Sequence, residues 1–195
     1  MNRKSFLSVA GLLAGGMIMN NTYASIKTLK PEEFLFEDDG KIPNSRLPVL
    51  VYREAFTEKG NKGAEWLEDV FAMNNWTNSW RWGVYSYHHY HSNAHEVLGV
   101  FSGNAVLQLG GEKGSKVKVK AGDIIVIPAG TGHKNISCSS DFTVVGAYPN
   151  GMSPDLMKGD ARERPQADKN IKAVPVPAAD PLLGTDDGLR KIWKK

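Results

Sequence analysis

The chain has 195 residues and a single cysteine, Cys138. That excludes an internal disulfide framework and any cysteine-built zinc cluster. It also lacks a strong charge of either sign, with 24 Lys+Arg against 21 Asp+Glu and a net of +3. No apolar run reaches the about 20 residues that a membrane-spanning helix needs; the apolar stretch Phe6 to Met19 falls short of it. Lys116, Lys118 and Lys120 alternate with Val117 and Val119, which is the solvated face of a strand rather than a nucleic-acid footprint. What the chain does have is histidine in one place. All five lie between His88 and His133, and four fall within His88 to His95.

The N-terminus reads as an export leader. Arg3 and Lys4 precede the apolar stretch, and Thr22-Tyr23-Ala24 places small residues before a cleavage site after Ala24. Arg3-Lys4-Ser5-Phe6-Leu7 resembles the twin-arginine signal R-R-x-F-L, with Lys in place of the second Arg, so both that route and ordinary Sec export fit. The expectation is a periplasmic or secreted protein, with no membrane attachment after cleavage. Removing the leader's two basic residues from the 24 leaves 22 against 21, a net of +1. The basic balance belonged to the leader, and no nucleic-acid partner is expected.

Three segments are expected: a signal peptide at 1–24, a body at 25–148 and a Pro-rich arm at 149–195. In the body, Val49 to Tyr52 reads as a short strand, and Ala64 to Asn74 carries Trp66, Leu67, Val70 and Phe71 at helical spacing. From Ser79 to Tyr148 short β-prone runs alternate with glycine turns, beginning with an aromatic run from Trp80 to His91. Several short strands at regular spacing indicate an all-β sandwich or barrel with one N-terminal helix. Val174-Pro175-Val176-Pro177 reads as an extended arm packed on that barrel, a disordered tail being the alternative.

In a strand, alternate side chains share a face, so His89 and His91 point one way while His88 and Tyr90 point the other. Two imidazoles at i and i+2 can reach one ion. Glu96 lies just past the bend and can return a carboxylate to it; a fourth ligand must come from elsewhere in the fold, where His133 is the only histidine. Three His and one Glu suit a divalent transition metal: Mn, Fe, Co, Ni, Cu or Zn.

These residues resemble the cupin superfamily. Its first motif, G-x5-H-x-H-x4-E-x6-G, is matched by Gly83, His89, His91, Glu96 and Gly103. Its second, G-x5-P-x-G-x2-H-x3-N, is matched by Gly122, Pro128, Gly130 and His133, with Ser137 in place of the final Asn. The flanking stretches HHYHSNAHEVLGV and VIPAGTGHKN are similar to those of small bacterial single-domain cupins. The resemblance implies a double-stranded β-helix (jelly-roll) barrel holding a metal inside through His89, His91, Glu96 and His133.

Other residues have two readings each. His95 stands where a variant spacing would put the acid and competes with Glu96; carboxylate and the spacing to Gly103 favour Glu96. Asn135 and Ser137 share the parity of His133 and offer a polar surround. Tyr85 and Tyr87 share the parity of His89 and either line a pocket or fill the barrel. His88 faces outward or toward a partner subunit. Trp66, Trp76, Trp80 and Trp82 are expected to seal a barrel end, and Cys138 to be a buried small hydrophobe.

Three functions fit a metal-loaded cupin: an enzyme of dioxygenase, oxalate-decarboxylase or isomerase type acting on a small molecule, a non-catalytic metal store, or a small-molecule-binding module. Related cupins commonly form homodimers. Export of an already folded protein favours Mn or Fe, trapped in the cytoplasm before Cu or Zn can compete; Zn, Ni and Cu are the alternatives.

Overall fold

In the computed structural model, residues 29–194 are described. The leader read at 1–24, with its cleavage after Ala24, lies outside the described residues.

Among the described residues, nine antiparallel strands form two sheets. They are β1 (Glu32–Phe34), β2 (Val49–Tyr52), β3 (Trp76–Trp82), β4 (Glu96–Ser102), β5 (Asn104–Leu109), β6 (Ser115–Lys120), β7 (Ile124–Ile127), β8 (His133–Cys138) and β9 (Thr143–Pro149). The larger sheet runs β1-β2-β7-β4-β9-β3 and the smaller β6-β5-β8. This is the expected jelly-roll architecture.

The sequence texture of the larger sheet follows from what covers it. Its inner face sends Val49, Val51, Leu98, Val100, Ile125, Ile127 and Val144 against Ala105, Leu107, Leu109, Val117 and Val119 of the smaller sheet. Its outer face sends Leu50, Tyr52, Val97, Ile124, Val126, Val145 and Ala147 against a helix and the C-terminal residues Leu182, Leu189 and Trp193. Strands buried on both faces must be apolar throughout, hence VLVY and IIVI. The smaller sheet is covered on one face only, so β6 reads SKVKVK with its valines buried and its lysines exposed. The outer helix, α1 (Gly60–Met73), buries Ala64, Leu67, Val70 and Phe71, the i, i+3, i+6, i+7 stripe of an amphipathic helix.

Four expectations need correcting. The aromatic run from Trp80 is a strand only as far as Trp82; beyond it His89 and Tyr90 are held as isolated bridges to His133 and Met157. The helix of the body is not alone among the described residues, since α2 (Gln166–Ala173) and α3 (Leu189–Ile192) lie in the C-terminal segment, while Val174 to Pro177 between them carries no helix and packs Val176 on the core. In β8 the pairing with β5 shifts between Leu107↔Asn135 and Val106↔Ser137, a bulge at Ile136. One extra residue reverses the alternation, so Ser137 faces out with Val106 and is exposed rather than sharing the face of His133. The bulged strand also ends at a sheet edge, which leaves Cys138 exposed, not buried.

Candidate metal centre

Four side chains converge at one end of the space between the sheets, where the apolar interior stops. Glu96 opens β4 in phase with Leu98 and Val100, the residues facing inward. His133 opens β8 in phase with Leu107 and Leu109 across the ladder. His89 is tied to His133 by two backbone hydrogen bonds, His89 N to His133 O at 3.2 Å and His133 N to His89 O at 2.9 Å. The carbonyl of His91 accepts from Gly130 N at 2.8 Å. Gly130 stands at φ +92°, and a Cβ there would lie 2.8 Å from Asn44 O, so the close turn after Pro128 requires glycine.

One ring nitrogen from each of His89, His91 and His133 lies within 4.8 Å of the others, and all three residues are buried. Glu96 Oε2 sits 3.2 Å from His133 Nε2 and 3.6 Å from His91 Nε2. Each imidazole turns its Nδ1 to a main-chain carbonyl: His89 to Tyr87 (3.4 Å), His133 to Thr131 (3.2 Å) and His91 to Asp155. A carbonyl only accepts, so Nδ1 carries the proton and the Nε2 lone pair is left facing the centre, the arrangement of metal-ligating histidines. Glu96 Oε1 accepts from Tyr148 OH at 3.0 Å, whereas its Oε2 is buried with no hydrogen-bond partner. Three clustered imidazole nitrogens and, beside two of them, an unpartnered carboxylate oxygen make a donor set of the kind a cation takes. These residues therefore fit a divalent metal.

The electrostatics agree. Burial, with the neighbouring His133, pushes the His89 pKa down to about 3, so that ring is neutral. Burial alone would raise Glu96, but the imidazoles of His133 and His91 beside it hold it well below the carboxylate range. For His91 burial works downward, and the Glu96 carboxylate and the Asp155 carbonyl outweigh it and raise the pKa. This corner attracts positive charge.

The remaining expected site residues separate. Tyr85 is half exposed and lines the pocket over the histidines; Tyr87 stacks on it at 4.9 Å and lies under Lys158. Neither fills the barrel. Asn135 keeps the parity of His133, donates its N–H to Tyr85 O at 2.8 Å and has a buried Oδ1 without a partner. His95 does not compete with Glu96. One residue out of phase, it faces the C-terminal arm, where Nδ1 accepts from Ala129 N (3.0 Å), Nε2 donates to Pro175 O (3.2 Å) and the ring packs on Trp193. Burial lowers its pKa to about 4, so it is neutral there. His88 lies on the other side of its strand segment, 3.4 Å from Glu112. Of the tryptophans, Trp66 stacks on Phe56 and Trp76 is buried with its indole N–H on Ala179 O, while Trp80 and Trp82 line the pocket.

Two supports escaped the sequence reading. Tyr148 donates to Glu96 and accepts from Trp80 Nε1 at 2.8 Å. The Trp80 indole can lie across β9 because residue 146 is glycine; a Cβ there would be 2.2 Å from the ring. The parity of Val144, Gly146 and Tyr148 puts the tyrosine on the inner face, the one local signal available. Asp155 holds His91 through its carbonyl and holds Ser92 N through its carboxylate at 2.6 Å. Nothing in the local sequence marks it.

A family model described as a cupin domain matches residues 83–145. The Bacillus subtilis (strain 168) protein YjlB is 46% identical over 165 residues, which is 84% of this chain and 97% of that protein. Among solved structures, a TDP-quinovose 3,4-ketoisomerase from Campylobacter jejuni is similar at 14% identity and TM-score 0.38, over 45% of this chain and 72% of that one. The S161A mutant of Bacillus subtilis oxalate decarboxylase is similar at 18% identity and TM-score 0.35, over 57% of this chain and 27% of that one. At these scores the structural overlaps say nothing of chemistry. With both histidine motifs in one barrel and a full-length relative at this identity, the chain belongs to the cupin superfamily, as a relative of YjlB.

Proposed function

We propose that this protein is an exported cupin in which His89, His91, Glu96 and His133 hold one divalent transition metal beside a small-molecule pocket, with oxygenase, decarboxylase or isomerase chemistry. The observation that carries the reading is the set of three Nδ1-to-carbonyl hydrogen bonds that leave the Nε2 atoms of His89, His91 and His133 facing the unpartnered Glu96 Oε2. Mn or Fe is favoured over Zn, Ni and Cu on the export reasoning above. A metal held this way supplies Lewis-acid or redox character to an oxygen-bearing ligand. The chain's own part is to keep Glu96 oriented through Tyr148 and to exclude water with Trp80, Leu98 and Val84, which line the same pocket of about 340 Å³.

A second reading, a non-catalytic binding or storage cupin, is supported by a specific feature. Among the described pocket-lining residues Asp155 is the one carboxylate besides Glu96, and it is engaged with Ser92, so no free general base stands over the centre. Elemental analysis of protein taken from its native compartment tests the proposal. Stoichiometric Mn or Fe is expected, and stoichiometric Cu or Zn refutes that preference. His133→Ala should abolish metal binding and His88→Ala should not; metal retained in His133→Ala overturns the ligand set. Periplasmic export belongs to the same proposal and is checked by cell fractionation. Homodimer formation, also part of it, is checked by sedimentation.

A further inference from the structure

The walls of the pocket carry a statement about what enters it. Trp80, Trp82, Val84, Tyr85, Leu98 and Leu156 surround the histidine end, and no Lys or Arg is among the described lining residues. Three of these apolar groups are held in solvent at the mouth, with Trp82 73%, Tyr85 48% and Leu156 45% exposed. Neighbouring large apolar side chains left in water around a concavity mark a surface that an apolar ligand covers. The one charged residue of the wall outside the centre is Asp155, an anion.

We propose that this pocket selects an uncharged, flat-ringed molecule bearing a hydroxyl or keto oxygen, and that it discriminates against small aliphatic dicarboxylates. The inference rests on the metal-site reading for the oxygen contact and on the wall alone for the ring. A divalent cation beside the Glu96 carboxylate leaves a single net positive charge, enough for one anionic or polar oxygen. A second carboxylate on the ligand would meet Asp155 and apolar surface with no Lys or Arg among the described lining residues to pair with, which desolvates a charge without compensation. A ring has the opposite experience, since indole and phenol faces gain both apolar burial and ring–ring contact from it. At about 340 Å³ the space is at the small end of ligand pockets, suited to one or two fused rings.

Calorimetric titration of the full chain, metal-loaded and metal-free, with 2-naphthol and with succinate tests this. The expected result is binding of 2-naphthol to both forms, tighter to the loaded one, with succinate weaker in each. Trp82→Ala, a change at an exposed side chain, should weaken 2-naphthol about tenfold in both forms without altering metal content. Succinate binding more tightly than 2-naphthol, or equal 2-naphthol affinity in Trp82→Ala and the parent chain, overturns the proposal. If the chain takes up no metal, the metal-site reading fails, and the contrast in the metal-free protein still decides this one.

Discussion

Replacing Tyr148 by Phe isolates one hydroxyl at the centre of the site. That hydroxyl donates to Glu96 Oε1 at 3.0 Å and accepts from Trp80 Nε1 at 2.8 Å, and burial together with the Glu96 carboxylate raises its pKa, keeping it a donor. The ring stays, so packing is conserved, but a wholly buried carboxylate oxygen loses its partner and the Trp80 indole N–H loses its acceptor. A hydrogen bond to a charged group contributes about 1.5–3 kcal/mol, and loss of the group that orients a ligand weakens metal binding about 10–100-fold. The sign follows from geometry. With Oε1 tethered, Oε2 is presented to the imidazoles; untethered, the carboxylate can rotate or take a proton, and either removes an anionic ligand. Competition of metal-free protein against a chromophoric chelator reads the affinity directly. Tyr52→Phe is the control, because its hydroxyl donates to Asp180 at 2.6 Å, away from the metal centre, and its loss should destabilise the fold while leaving metal affinity unchanged. Metal affinity of Tyr148→Phe within about threefold of the parent chain, or equal losses in both variants, refutes the reasoning.

Two further outcomes concern the C-terminal segment. Trp193 is buried among the outer core, donates its indole N–H to Pro48 O at 2.8 Å and packs on His95, so Trp193→Ala should cost about 3–5 kcal/mol in urea unfolding; a cost under about 1 kcal/mol would show the segment to be dispensable. The Glu163 carboxylate accepts from Lys158 N, Gly159 N and Tyr90 OH, and although burial opposes them these donors lower its pKa. Its stabilisation is therefore present above the unfolded carboxyl range near 4.5 and lost as pH falls through the lower folded value. Glu163→Gln should be less stable than the parent chain at neutral pH, with the gap closing in acid. A gap that stays constant with pH contradicts the assignment.

The convergence of His89, His91, Glu96 and His133 was legible because much of it depends on short-range geometry. His89 and His91 stand two residues apart in a segment bridged to His133, Glu96 opens β4, and the second motif places His133 at a strand start after Pro128. The strand β2 was legible for the same reason, from the run Val49 to Tyr52. Ser137 was misplaced because a bulge at Ile136 changes the count by one, and β8 carries no glycine or proline to announce it; Cys138 was misplaced because it ends an edge strand. His95 and Glu96 both stood at workable spacings, and only the phase of β4 with Leu98 separated them.

From the sequence alone followed the β class, the histidine centre and its acid, since these rest on period-two alternation and fixed separations within a few residues. The tertiary structure decided which nitrogen of each histidine is free, that Tyr148 holds Glu96 and Asp155 holds His91, and that His95 fastens the C-terminal arm instead. The contacts of Tyr148, Asp155 and His95 join residues 34 to 80 positions apart, as in Ala129 N to His95 and His95 to Pro175 O. No local pattern encodes such partners, because they meet only after both sheets and the arm have packed.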